Sequence, residues 1–150
     1  MKNATQLLAG KNTPVWVISP DSSVLDAIKL MGEKEIGALL VTQFDTLIGI
    51  VSERDYARKI ILKGKESHNT PISEIMTANV VTVGPDGSID QCMALMTKHK
   101  IRHLPVIEKE RIVGVLSIGD LVKAIIAEQS DTIAHLEGCL LYTSPSPRDS

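Results

Sequence analysis

Aromatic side chains are nearly missing from this chain. Its 150 residues include one Trp, two Tyr and one Phe, so a core drawn from its 43% hydrophobic residues is aliphatic. An excess of one charge is missing too: 16 Lys and Arg stand dispersed against 18 Asp and Glu, for a net charge of −2. That argues against a nucleic-acid partner, which needs a basic stripe. The two cysteines, Cys92 and Cys139, make neither a disulfide framework nor a metal-ligand spacing. Cys92 reads as a small buried apolar residue. No apolar run approaches membrane-spanning length, and residues 1–14 contain no signal-peptide core. The expectation is a soluble protein of the reducing cytoplasm with no membrane partner. No pair of histidines has ligand spacing, so no metal is expected. His68 and His135 read as solvated, and His99 as lying on the polar side of its helix. No nucleophile–base pair or carboxylate dyad points to an enzyme.

What is present is written twice. Displaced by 65 positions, Pro20-Asp21-x-Ser23 falls on Pro85-Asp86-x-Ser88 and Leu30-Met31 on Leu95-Met96. Gly49 falls on Gly114, Ser52 on Ser117, Asp55 on Asp120 and Ile60-Ile61 on Ile125-Ile126, without a gap from residue 15 to 62. A duplicated unit this short does not bury its own apolar face, so the copies should pack together about a pseudo-twofold axis. Clefts then come in related pairs. The division that follows is an N-terminal segment (1–14), a first repeat (15–64), a linker with a short helix (65–79), a second repeat (80–130) and a tail (131–150). The tail has no counterpart in either repeat and reads as disordered. From Cys139 it resembles translated adapter read-through, and it is set aside from the fold.

Each repeat reads strand, helix, strand, strand, helix, an α/β (α+β) unit. Ser23 with Asp26, and Ser88 with Gln91, look like capping boxes. Val24, Ala27, Ile28 and Met31 follow at helical spacing, as do Ile89, Cys92, Met93 and Met96. Hairpins are expected from runs 38–41 and 47–51 around Phe44-Asp45, and from runs 104–107 and 112–116 around 108–110. A second helix opens at Ser52 and at Ser117. Its expected inner face is Ala57, Ile60 and Ile61 in one copy, and Val122, Ile125 and Ile126 in the other. Residues 70–76 suggest a linking helix with Pro71 at its first turn, and residues 4–9 its counterpart.

The repeated signature is Gly-apolar-x-Ser-x-x-Asp, at residues 49–55 and 114–120. For a single copy, capping by Ser and Asp is explanation enough. Doubled, at a strand-to-helix turn, it also suits a ligand. A helix N-terminus offers N–H groups to phosphate, and Asp can accept from two vicinal hydroxyls. Arg54 and Arg58 add cations able to meet phosphate oxygens. Trp16 reads as packing rather than as a stacking surface for a base.

The repeat pattern, the Pro-Asp-x-Ser openings, Ile101-Arg102-His103-Leu104-Pro105-Val106 and both signatures resemble a tandem pair of cystathionine-beta-synthase (CBS) domains over residues 4–130. The run from Ser52 to Lys59 is similar to short stand-alone pairs of bacteria and mitochondria. The resemblance implies a pseudo-twofold Bateman module, a disc-shaped homodimer and regulation of another protein in trans rather than catalysis. It implies an adenosyl ligand between the repeats: AMP or NAD, with ATP and S-adenosylmethionine as alternatives. It joins Ser52 and Asp55, with Arg54 and Arg58 nearby, to Arg102 and His103, and puts Thr82 and Val83 beside the base. Asp55 would hold ribose hydroxyls, while Ser52, Arg102 and Arg54 meet phosphate. The related cleft joins Ser117 and Asp120 to Gly37 and Ala38, which have no polar side chain, so the clefts should be unequal. The alternative is a dimeric adaptor whose clefts bind nothing.

Overall fold

The computed structural model describes residues 2–11 and 14–140. Along it run α1 (Ala4–Ala9), β1 (Val17–Ile18), α2 (Val24–Lys34), β2 (Ala38–Gln43), β3 (Thr46–Ser52) and α3 (Glu53–Tyr56). Then follow α4 (Ile89–His99), β4 (His103–Glu108), β5 (Arg111–Ser117) and α5 (Ile118–Leu140). The repetition in sequence is a repetition in backbone. Ser23 and Ser88 cap α2 and α4, each hydroxyl accepting the N–H three residues on at 3.1 Å. Such caps contribute about 1 kcal/mol each. Gln91 returns the bond to Ser88, completing the expected box; Asp26 makes no such return bond to Ser23. Both helices end on a left-handed residue, Glu35 and Lys100, each at φ 55°.

The hairpins match as closely. β2 pairs antiparallel with β3 and β4 with β5, with Val41 opposite Gly49 and Val106 opposite Gly114. Both slip register immediately after those pairs. Both turns have two residues at positive φ, Phe44-Asp45 and Lys109-Glu110, the backbone that joins twisted strands most tightly. In the first repeat β1 adds to β2 in parallel, Val17 opposite Leu40. In the second the corresponding strand shrinks to one bridge between Val83 and Val106.

Three expectations need correction. The second helix of repeat 1 is a single turn, α3, that widens into a π-helical turn over Ala57–Ile61. The wider turn changes its phase, so Ile60 is buried while Ala57 and Ile61 face outward. In repeat 2, Leu121 and Ala124 are the buried residues, whereas Val122 and Ile126 are exposed. The Ser117–Asp120 cap fixes that phase by holding the first turn against the end of β5. Finally, α5 continues past residue 130 to Leu140, because no Gly or Pro interrupts residues 121–137. The expectations for residues 141–150 lie outside the described residues.

Each repeat has its own aliphatic core, and each core is closed by a segment preceding the other repeat. Residues 70–77 pack on repeat 1, where Ile72 and Ile75 join Val24, Ala27, Leu39 and Val51. Ile50 and Thr77 exchange backbone hydrogen bonds at 3.0 and 2.8 Å. α1 crosses to repeat 2. Ala4 N donates to Gly87 O at 2.8 Å, and Ala4 lies in the core with Cys92, Leu104 and Leu116. Cys92 is fully buried, and burial pushes its thiol above the ordinary value.

The two paired glycines mark these crossings. A Cβ on Gly49 would meet Met76 Sδ at 2.5 Å and the Thr77 carbonyl at 3.2 Å. A Cβ on Gly114 would meet the end of the Leu8 side chain, Cδ2 at 2.7 Å. A leucine tip yields more readily than a backbone carbonyl. Gly49→Ala should therefore lower stability by about 1–3 kcal/mol, and Gly114→Ala by less, as read from urea unfolding midpoints.

Candidate functional site

The two strand-to-helix turns form the floors of two clefts. At the first, Ser52 N donates to Asp55 Oδ2 at 2.9 Å, and Asp55 N donates to Ser52 Oγ at 3.3 Å. The Ser52 hydroxyl also donates to Asp55 at 3.1 Å. At the second, Ser117 N donates to Asp120 Oδ2 at 2.7 Å, and Asp120 N to Ser117 Oγ at 3.2 Å. Capping is therefore real in both copies. The first helical N–H of each turn is also used: Glu53 N donates to Gly37 O at 3.1 Å and Ile118 N to Arg102 O at 2.9 Å. Few N–H groups remain for a phosphate, which leaves anion binding to side-chain cations.

The first cleft, of about 560 Å³, brings together Ser52, Arg54, Asp55, Arg58, Arg102 and His103. Arg54 Nη1 reaches across to the Lys100 carbonyl at 3.3 Å, so α3 touches the opposite repeat. Lys100 and His99 also line this cleft, a placement the sequence reading missed for both. Thr82 and Val83 are not in it. Val83 N donates to Pro105 O and Val83 O accepts from Ile107 N, which pins Val83 into the core. Thr82 faces a separate hollow beside Ile107 and Glu110. The wall they were expected to form is made by Val80 and Val81.

The second cleft, of about 470 Å³, joins Ser117 and Asp120 to Gly37 and Ala38 as expected. Displaced by 65 positions, its wall residues 14–16 and 34–38 fall on 79–81 and 99–103, the walls of the first cleft. Trp16, Lys34, His99 and Lys100 carry no signature of their own in the sequence, and the structure is what places them on these walls. Trp16 is partly buried against the repeat 1 core, and the Lys34 ammonium sits 4.4 Å from its ring centroid. The second cleft therefore does contain cations, contrary to the expectation from Gly37 and Ala38 alone. Both are engaged: Lys34 with Trp16 and Lys11 with Asp120.

The two aspartates differ in how their lysine partners reach them. Lys11 Nζ lies 2.7 Å from Asp120 Oδ2 and 2.7 Å from the Val115 carbonyl. Burial raises the Asp120 pKa, but the Lys11 hydrogen bond, the Ser117 N–H and the Lys11 charge together hold it below its ordinary value. Asp55 is met instead by Lys59, one turn along its own helix, at 3.3 Å on Oδ1. His103 borders both clefts. Burial, helped by Lys11 and Arg102 and opposed by Asp120, pulls its pKa below the ordinary 6.5.

The chain belongs to the CBS-domain family, whose model matches residues 11–62 and 72–127. It is 40% identical over 121 residues to the mitochondrial CBS domain-containing protein CBSX3 of Arabidopsis thaliana, covering 77% of this chain and 59% of that protein. It thus spans less than two thirds of that relative. A solved CBS-domain structure from Burkholderia ambifaria MC40-6 is 50% identical, with a TM-score of 0.80, covering 85% of this chain and 96% of that one. The CBS domain pair of protein MJ0100, solved with 5′-methylthioadenosine and S-adenosyl-L-methionine, shares the fold at 24% identity and a TM-score of 0.75, covering 85% of this chain and 98% of that one. Among the described residues no helix is long and apolar enough to cross a membrane, and no acid, His and Cys cluster suits a metal.

The lowered His103 pKa carries a pH prediction. At and above neutral pH both folded and unfolded states keep His103 neutral. Below 6.5 the unfolded chain binds the proton first, so stability falls with pH until the folded value is passed. The Asp120 contribution is lost only below 3.8, its ordinary value, in a separate window. His103→Gln should flatten the loss of stability that sets in as the pH falls below 6.5, as followed by urea unfolding at each pH.

Proposed function

We propose that this chain is a regulatory module that binds an adenine nucleotide, AMP or NAD, in the Ser52 cleft and acts on another protein in trans. The observation that carries this reading is the gathering of Arg54, Arg58, Lys100 and Arg102 around Asp55 in one cavity. Its volume of about 560 Å³ lies within the range of small-molecule sites. Asp55 suits the ribose hydroxyls. The cations suit phosphate, and two guanidinium groups of different repeats can hold it by charge-assisted bonds. The complex of MJ0100 supports an adenosyl ligand for such a fold. Here the cationic wall favours a phosphate over the sulfonium of S-adenosylmethionine. A thermal-shift series tests this. At a hundredfold excess over Kd, AMP or NAD should stabilise by about 2.7 kcal/mol, and Asp55→Asn should abolish the shift in a folded variant. A melting curve unmoved by millimolar AMP, NAD and ATP would sink the reading.

The module acts as a homodimer in this reading. Ile61 is 60% and Leu62 77% exposed in repeat 1, and Ile126 is 56% exposed in repeat 2. Ile61 and Ile126 are paired by the 65-residue shift, so the exposed apolar positions follow the pseudo-twofold and suit a self-complementary interface. Ile126→Asp should convert a dimer to a folded monomer in light scattering. A monomeric parent protein would remove this element.

A further inference from the structure

We propose that Lys11 reserves the Ser117 cleft, so that the chain takes one nucleotide and not two. The proposal rests on the reading that the Ser-x-x-Asp aspartates hold ligand hydroxyls.

The two clefts offer a controlled comparison, because their walls are the same chain positions displaced by 65. Each aspartate is capped by its own serine and each has a lysine partner. The lysines differ in where they stand. Lys59 belongs to the turn that bears Asp55, donates to the Ile75 carbonyl at 2.8 Å, and is not among the residues lining the Ser52 cleft. It approaches Asp55 from outside. Lys11 comes from the N-terminal segment and lines the Ser117 cleft itself. It sits on the Asp120 oxygen that Ser117 N also holds, both at 2.7 Å. An ammonium donating to Asp120 Oδ2 from inside the cavity takes an acceptor, and the space beside it, that a pair of ligand hydroxyls would need to engage both carboxylate oxygens.

The lysine is also well held. It bonds the Val115 carbonyl as well as Asp120, and the α1 helix before it is anchored separately on Gly87 and Pro85. Its side chain is 25% exposed and that of Asp120 20%, so the pair is shielded from the screening that weakens surface ion pairs. A hydroxyl pair competing for Asp120 must displace a full positive charge with uncharged donors. In the Ser52 cleft, among the described residues, the lysine on Asp55 is Lys59, which is outside the cavity lining and makes the longer contact, 3.3 Å on Oδ1 against 2.7 Å for Lys11 on Asp120.

The chain carries its own reporter. Trp16 is its only tryptophan and lines the Ser117 cleft, not the Ser52 cleft. Titration of the full chain with AMP, by calorimetry and by tryptophan emission, tests the proposal. The parent protein should bind one AMP per chain without a change in emission. Lys11→Met should bind two, the second with a change in emission and an affinity raised at least tenfold, about 1.4 kcal/mol. Lys11→Arg, which keeps the cation, should still bind one. If Lys11→Met does not fold by circular dichroism, Lys11→Gln, which retains a donor for the Val115 carbonyl, takes its place. Two AMP per parent chain, or one in both the parent and the charge-removing variant, would overturn the proposal. A parent that binds none beside a variant that binds one with altered emission would keep Lys11 in this role and overturn the nucleotide reading of the Ser52 cleft. Binding by neither would overturn both.

Discussion

The exchange of flanking segments between the two repeats is the constraint on which the rest depends. Repeat 1 lacks the residues that close its core and takes Ile72 and Ile75 from the linker after it. Repeat 2 takes Ala4 and Leu8 from the segment before repeat 1. Each crossing is latched at a glycine, Gly49 under Met76 and Gly114 under Leu8. Neither repeat can separate from the other without opening both cores. That fixes the distance between the end of one repeat's β-hairpin and the wall of the other, and it is this gap that makes the clefts.

The Ser-x-x-Asp turns then serve two ends with one set of atoms. As caps they satisfy N–H groups at the starts of α3 and α5. As cleft floors they hold a carboxylate at a fixed position beside cations from the opposite repeat. The second role depends on the first, because the bonds from Ser52 N and its hydroxyl aim one Asp55 oxygen at the helix start. A substitution at either aspartate therefore removes a helix cap as well as a cleft carboxylate, and folding has to be measured before affinity is interpreted.

Much of this was legible in the sequence because the repeat is ungapped. The elements of one copy can be checked against the other, and the doubled Ser-x-x-Asp marks the two turns; that Arg102 and His103 of the opposite repeat face Ser52 comes only from the family resemblance. The phase of the second helices was not legible. Ala57 and Ile61 look as apolar as Ile60, and only the π-helical turn and the caps decide which of them faces the core. Thr82 and Val83, placed by the resemblance, stand two residues beyond the wall, because Val83 is bridged to Val106 and bonded to Pro105 and Ile107 in the core. Lys11 left no trace at all. It has no place in the signature, and its partner Asp120 lies more than a hundred residues away.

The side chains of the two repeats have diverged in an ordered way. Core positions pair like with like: Met31 with Met96, Leu39 with Leu104, Val41 with Val106, each buried in both copies. Wall positions pair unlike residues: Gly37 with Arg102, Ala38 with His103, Trp16 with Val81. A packed interior resists changes of volume, so the cores had little room to differ. The walls border open cavities, where a change from glycine to arginine alters charge without altering the fold. Gly37 adds a steric condition, because a Cβ there would press within 3.3 Å of Glu53 and His103. A side chain at that position therefore needs Glu53 and His103 to give way by a few tenths of an ångström, and His103 also lines the Ser52 cleft. The inequality of the clefts is built into the wall they share.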